Sequence, residues 1–132
     1  MDAKELRIGN LIYSRTGVIK VVDVINATTR KIEFDDSDDD YDLSECNPIP
    51  LTAEWLERFG AEFSGNEVVI QGFVMELFRD GYCYSGGEGC PFSPPIKYVH
   101  KLQNIFYEIE DKELKDSMKS YPVPDRFPQV KN

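Results

Sequence analysis

No stretch of this 132-residue sequence approaches the ~18 consecutive apolar residues that a membrane span requires, so no segment is read as crossing a bilayer. Its opening residues, Met1-Asp2-Ala3-Lys4-Glu5-Leu6-Arg7, mix charges and have no apolar segment, which is not the pattern of a secretory signal. Cysteine is scarce. Cys46, Cys83 and Cys90 form an odd set that gives no disulfide framework and suits a reducing compartment, so a cytoplasmic protein is expected. Clustered Lys and Arg are missing too, which argues against direct binding of nucleic acid, because neutralising phosphates needs such clusters. No internal repeat is visible.

What is present suits a small soluble fold with a core of its own. A chain of this length buries roughly two-thirds of its unfolded surface and needs no metal or disulfide to fold. Its formal net charge of −9 is concentrated in one place. From Glu33 to Glu45 there are eight acids and no base; the rest of the chain has 16 acids against 15 bases. The acidity is therefore a local feature.

Hydrophobic patterning gives an α+β class. Leu6 to Tyr13 reads as a strand interrupted at Gly9-Asn10, and Val18 to Ile25 as a β-branched strand. A third strand over Thr28 to Phe34 places Ile32 and Phe34 on one face, giving a small antiparallel N-terminal sheet, SH3-like or a meander. The acidic segment hangs from one of its hairpins. Asn47-Pro48-Ile49-Pro50 is a rigid extended linker. A short middle helix follows, capped by Thr52, stopped by Gly60 and burying Trp55, Leu56 and Phe59. A second antiparallel β segment runs over 67–71, 73–79 and 82–85, and the Gly86-Gly87-Glu88-Gly89 run after it reads as a flexible loop tip. An amphipathic C-terminal helix extends from about Ile96 to Glu110, with Val99, Leu102, Phe106 and Ile109 as its apolar stripe and a further turn through Leu114 and Met118. The expected organisation is a single α+β domain over 1–120, β-rich over 4–46 and helix-strand-helix over 51–118. A Pro-rich tail follows over 121–132.

Three motifs stand together: Glu5-Leu6-Arg7-Ile8-Gly9-Asn10, Pro48-Ile49-Pro50-Leu51-Thr52-x-Glu54-Trp55-Leu56-x-x-Phe59-Gly60, and Tyr98-Val99-His100-x-Leu102-Gln103-Asn104. In that order they resemble a family of short uncharacterised proteins carried by phages and mobile elements of Bacteroides-type gut bacteria, over most of residues 4–114. The chain departs from the family pattern at Ile109 to Leu114, and the acidic insert at 35–42 and the cysteine-flanked Gly loop are particular to it. The resemblance implies a setting, a phage or mobile element, and no particular mechanism.

Candidate chemistry is confined to a few places. Asp38, Asp40 and Asp42 alternate as at the start of a calcium loop and form a candidate weak divalent-cation site. However, Leu43 stands where an EF-hand needs Gly, and Ile49 where it needs Glu, so a solvated hairpin loop is the simpler reading. Cys46, Cys83, Cys90 and His100 have the residue types of a zinc site but not its spacing, and ordinary thiols are expected. Cys83 or Cys90 with His100 would be the elements of a small Cys/His enzyme, yet nothing in the sequence stabilises a thiolate or orients the imidazole. The glycine run lacks the Lys-Ser/Thr of a phosphate loop. On the last helix His100, Gln103, Asn104 and Tyr107 fall at i, i+3, i+4 and i+7 and are the candidate binding residues; in the simpler reading His100 and Asn104 satisfy backbone groups of the preceding loop.

The expectation is a non-enzymatic protein-interaction module that needs no cofactor and binds a protein partner, with a homo-oligomer left open. The alternatives are an acidic nucleic-acid mimic that inhibits a DNA-binding protein and, behind it, the Cys/His enzyme.

Overall fold

Arg7-Ile8-Gly9-Asn10 makes a reversal of the chain, and Gly9 and Asn10 each suit it. The Asn10 N–H donates to the Arg7 carbonyl (3.0 Å), with Gly9 in the left-handed region at φ 99. The buried Asn10 side chain closes the turn from the other side, its Oδ1 accepting the Arg7 N–H at 2.6 Å. This turn docks on the next strand through Gly9 N–H to Val22 O (2.8 Å) and Val22 N–H to Asn10 O (2.9 Å). The computed structural model in which these contacts are seen describes residues 1–37 and 39–116. Asp38, Met118 and the tail at 121–132 lie outside the described residues.

The chain forms two compact units, Met1–Ile49 and Pro50–Lys119, with the division inside the Asn47–Pro50 linker. Each holds a four-stranded antiparallel sheet, so the class is α+β. In the first unit β1 (Leu11–Tyr13), β2 (Ile19–Asn26), β3 (Lys31–Phe34) and β4 (Asp40–Asp42) run in sequence order as a meander. β1 begins five residues later than the pattern suggests because the Arg7–Asn10 turn and a short 3-10 turn at Ala3–Glu5 occupy the start. Tyr13 exchanges two backbone bonds with Asn47, covering the outer edge of β1.

β2 holds a bulge. Val22 pairs with Phe34 and Val24 with Glu33, which leaves Asp23 as the extra residue. Strict alternation would put Val22 and Val24 on one face. The bulge sends Val24 to solvent instead and turns Ile25 onto the core with Val22, Ile32 and Phe34.

In the second unit α1 is short, Ala53–Arg58. Thr52 Oγ1 caps it by accepting the Trp55 N–H (3.3 Å), and it ends in a Schellman motif: Ala61 N–H to Leu56 O (3.0 Å) and Gly60 N–H to Glu57 O (2.9 Å), with Gly60 at φ 84. Trp55, Leu56 and Phe59 are buried as expected. The sheet follows as β5 (Glu62–Ser64), β6 (Glu67–Ile70), β7 (Phe73–Phe78) and β8 (Gly81–Tyr84). β5 went unanticipated, since Glu62-Phe63-Ser64 is short and has a single apolar residue.

The β6–β7 hairpin turns on Gln71-Gly72, both at positive φ (50 and 94). From that turn the Gln71 Nε2 donates to Phe59 O (3.0 Å) and Lys115 O (2.9 Å). α2 spans Val99–Glu110 and packs on β7, with Phe106 against Phe73 at 5.6 Å between ring centroids. Beyond it Asp116 grips Arg58, Nη2 to Oδ2 at 3.1 Å, while that guanidinium lies 4.3 Å over the Trp55 ring. Leu114 is buried without continuing the helix. No helix among the described residues is long and apolar enough to cross a membrane.

Asn10→Ala removes a buried acceptor and is expected to cost about 1–3 kcal/mol of stability. Gly9→Ala meets no atom, so its cost of about 1–2 kcal/mol would come from the backbone alone. Urea unfolding of both variants checks the two figures.

Candidate functional site

α2 starts three residues later than its apolar pattern allows, because the chain before it is held extended. Ile96 N–H donates to Tyr82 O (2.7 Å), Leu51 N–H to Lys97 O (2.9 Å), and Pro50 bridges Tyr98. Tyr98 is therefore an extended N-cap without a side-chain cap bond. His100 lies in the first turn, fully buried, its ring stacked on Tyr98 at 5.9 Å and 17°.

The buried face of α2 consists of Val99, Leu102, Gln103 and Phe106, with His100 beside them. This corrects two expectations. Ile109 leaves the stripe and is exposed, because the face that meets β7 is rotated toward Gln103. Further, His100, Gln103, Asn104 and Tyr107 do not share an outward polar face: His100 and Gln103 are buried, Asn104 is half-buried, and Tyr107 alone is exposed.

The acidic segment is more structured than a solvated loop. Asp40 and Asp42 belong to β4, opposite Glu33 and Lys31 of β3. Asp42 caps the 3-10 turn Leu43–Glu45, its Oδ1 accepting the Ser44 N–H (3.0 Å) and hydroxyl (2.8 Å), with Lys31 Nζ 3.9 Å from Oδ2. The Ser44 N–H and hydroxyl hold the Asp42 carboxyl below its ordinary value, and Lys31 adds to the effect. Lys20 meets Asp36 at 2.6 Å. Asp38 lies outside the described residues. Among the described residues no group of three or more His, Cys, Asp or Glu side chains could hold a metal ion.

Two of the thiols are buried. Cys46 is pushed up to about 11 by burial, then by Glu45 and Asp42. Cys83 is raised by burial and by Asp80, and its Sγ reaches Gly81 O at 3.8 Å. Both shifts oppose the thiolate a nucleophile or metal ligand requires. Cys90 is exposed, in the loop that follows the glycine run.

That loop is pinned at its start, contrary to the flexible tip expected. Glu76 Oε2 on β7 accepts the buried Ser85 hydroxyl (2.7 Å) and the Gly89 N–H (3.1 Å). Phe92 N–H returns to Tyr84 O (2.8 Å), and the Ser93 hydroxyl accepts the Tyr84 N–H (2.9 Å). Phe106, Phe73, Tyr84 and Phe92 form a chain of ring contacts from the core to an exposed end. Sequence reasoning passed over Glu76. Its signal was an acid inside the apolar strand Phe73-Val74-Met75-Glu76-Leu77-Phe78, a place where a carboxylate needs donors.

Comparison with protein-family models, curated proteins and solved structures returns no match. Among the described residues of the second unit, the large apolar side chains that are exposed are Phe63, Leu77, Phe92, Tyr98, Tyr107 and Ile109.

At pH 8 a thiol titrating near 11 is ~0.1% ionised, so alkylation of the folded protein is expected to label Cys90 quickly and Cys46 and Cys83 only after unfolding. Peptide mapping after timed iodoacetamide treatment reads this. Because the folded Cys46 value is raised, its stabilising effect is full below the unfolded value near 9. It is lost as pH rises toward 11, so Cys46→Ser should flatten the fall in melting temperature over that interval.

Proposed function

We propose that this chain is a non-enzymatic protein-interaction module, of phage or mobile-element origin, whose partner docks on the outward side of α2. The observation that carries the reading is Tyr107, an amphipathic ring 40% exposed beside half-buried Asn104 on a helix whose other candidate binding residues are turned inward. Tyrosine is enriched at the centres of interfaces because it offers large rigid area with one polar end. The family resemblance supplies the setting. Against the Cys/His enzyme stands the burial that raises Cys83 and disfavours its thiolate. The acidic-mimic reading is weakened by Lys20 and Lys31, which lie on Asp36 and Asp42.

Affinity capture of the full chain from its native host, with Tyr107→Ala as control, tests the proposal. The expected outcome is a stoichiometric protein partner whose recovery falls about tenfold or more with the variant, as loss of an interface anchor of ~1.4 kcal/mol or more requires. The variant's melting temperature should stay within a few degrees of the parent's. Recovery of no partner, in a host element that functions normally without the gene, would overturn it.

A further inference from the structure

Among the described residues, the second sheet leaves one edge open. β8 is covered by backbone bonds from Phe92 and Ile96, whereas β5 is the outermost strand on the other side and all three of its residues are exposed. Which groups it offers follows from the hairpin geometry. The Gln71-Gly72 turn makes Ile70/Phe73 and then Val68/Met75 the hydrogen-bonded pairs of β6 and β7, so Val68 turns its backbone toward β7. Phe63 stands opposite Val68 and therefore turns its own N–H and C=O away from the sheet. Ser64 and Glu62 bond inward to Glu67 and Val69, and peptide planarity then aims the Ala61 C=O and the Gly65 N–H outward as well.

Read along the strand, this edge is acceptor, donor, acceptor, donor. Such a sequence complements itself under a two-fold rotation about Phe63. Antiparallel pairing with another copy lets each Phe63 exchange both of its bonds with the other and sets Ala61 C=O against Gly65 N–H. The side chains agree with this register. Glu62 comes to lie opposite Ser64 of the other copy and not opposite another Glu62, so no like charges face each other. The two Phe63 rings, each 44% exposed, lie side by side on the face that already carries buried Val68 and Met75, continuing that apolar layer across the axis.

We infer that the chain self-associates into a two-fold dimer by β5–β5 pairing centred on Phe63. The occupant of the edge is a second copy of this chain, because hydrogen-bond order, charge and apolar face are all self-complementary at one register. This surface is separate from the α2 side chains assigned above to a partner, so either assignment can fail alone.

Sedimentation equilibrium of the full chain from about 10 μM to about 1 mM covers the affinities a contact this small supports. The expected result is a monomer–dimer equilibrium in which the Phe63 amide gains protection from hydrogen exchange as the dimer fraction rises. Phe63→Pro removes an N–H that the fold itself does not use, and it should raise the dissociation constant about tenfold or more while the monomer still melts cooperatively. Should that variant fail to fold, Phe63→Lys reads the same contact by placing like charges opposite each other. Ser64→Lys puts a cation opposite Glu62 and should tighten the dimer, less so in high salt. A chain that stays monomeric at about 1 mM overturns the inference. So does a dimer indifferent to these substitutions, or a Phe63 amide protected only by an added peptide strand.

Discussion

Gln71 occupies a backbone conformation that residues with a side chain rarely adopt, at the first position of the two-residue turn between β6 and β7. From there its amide reaches two chain segments distant in sequence: the carbonyl of Phe59, the residue that closes α1, and the backbone at Lys115, after α2 has ended. Asn or Gly would form this turn with less strain, on the order of 1 kcal/mol, but neither spans the distance. The bonds it makes offset that cost. They also fix how the hairpin, the first helix and the segment after the second helix are arranged within the unit, and the Arg58–Asp116 pair closes the same set of elements a short way along.

The three motifs singled out in the sequence are accounted for by folding. Arg7 to Asn10 build a turn in which Gly9 supplies the positive φ and Asn10 the buried acceptor. Pro50 to Gly60 contain an extended bridge, a cap, a buried face and a Schellman stop. Tyr98 to Asn104 contain an extended N-cap and the residues that α2 turns inward. Local signals of this kind were legible because each acts through its own backbone: Thr52 needs only the Trp55 N–H, and Gly60 needs only to lack a Cβ.

What could not be read depended on partners remote in sequence. The bulge at Asp23 reverses which of Val24 and Ile25 faces the core, and only the pairing with Glu33 reveals it. Periodicity alone places Ile109 in the buried stripe, whereas contact with β7 turns Gln103 inward and Ile109 out. Spacing puts His100 on one helical face with Gln103, Asn104 and Tyr107, whereas its ring is buried and stacked on Tyr98, the residue bridged to Pro50. Of the four candidate residues, the sequence showed that they share one helix but not that His100 and Gln103 are buried in it. Glu76 was missed because its donors, Ser85 and Gly89, come from a loop whose return path no local pattern encodes.

The two sheets treat their last strands differently, and this gives the acidic segment a meaning that needs no ligand. β4 is the outer strand of the first sheet, only three residues long, with Asp40 and Asp42 at its two ends and Glu33 opposite Asp40 on its neighbour. Any strand arriving there from another molecule would have to bring its backbone up to this row of carboxylates, and a second copy would bring the same row. Charge held at a short edge in this way blocks growth of the sheet from one molecule to the next. Asp40, Asp42 and Glu33 therefore disfavour pairing of this edge with a strand from another molecule.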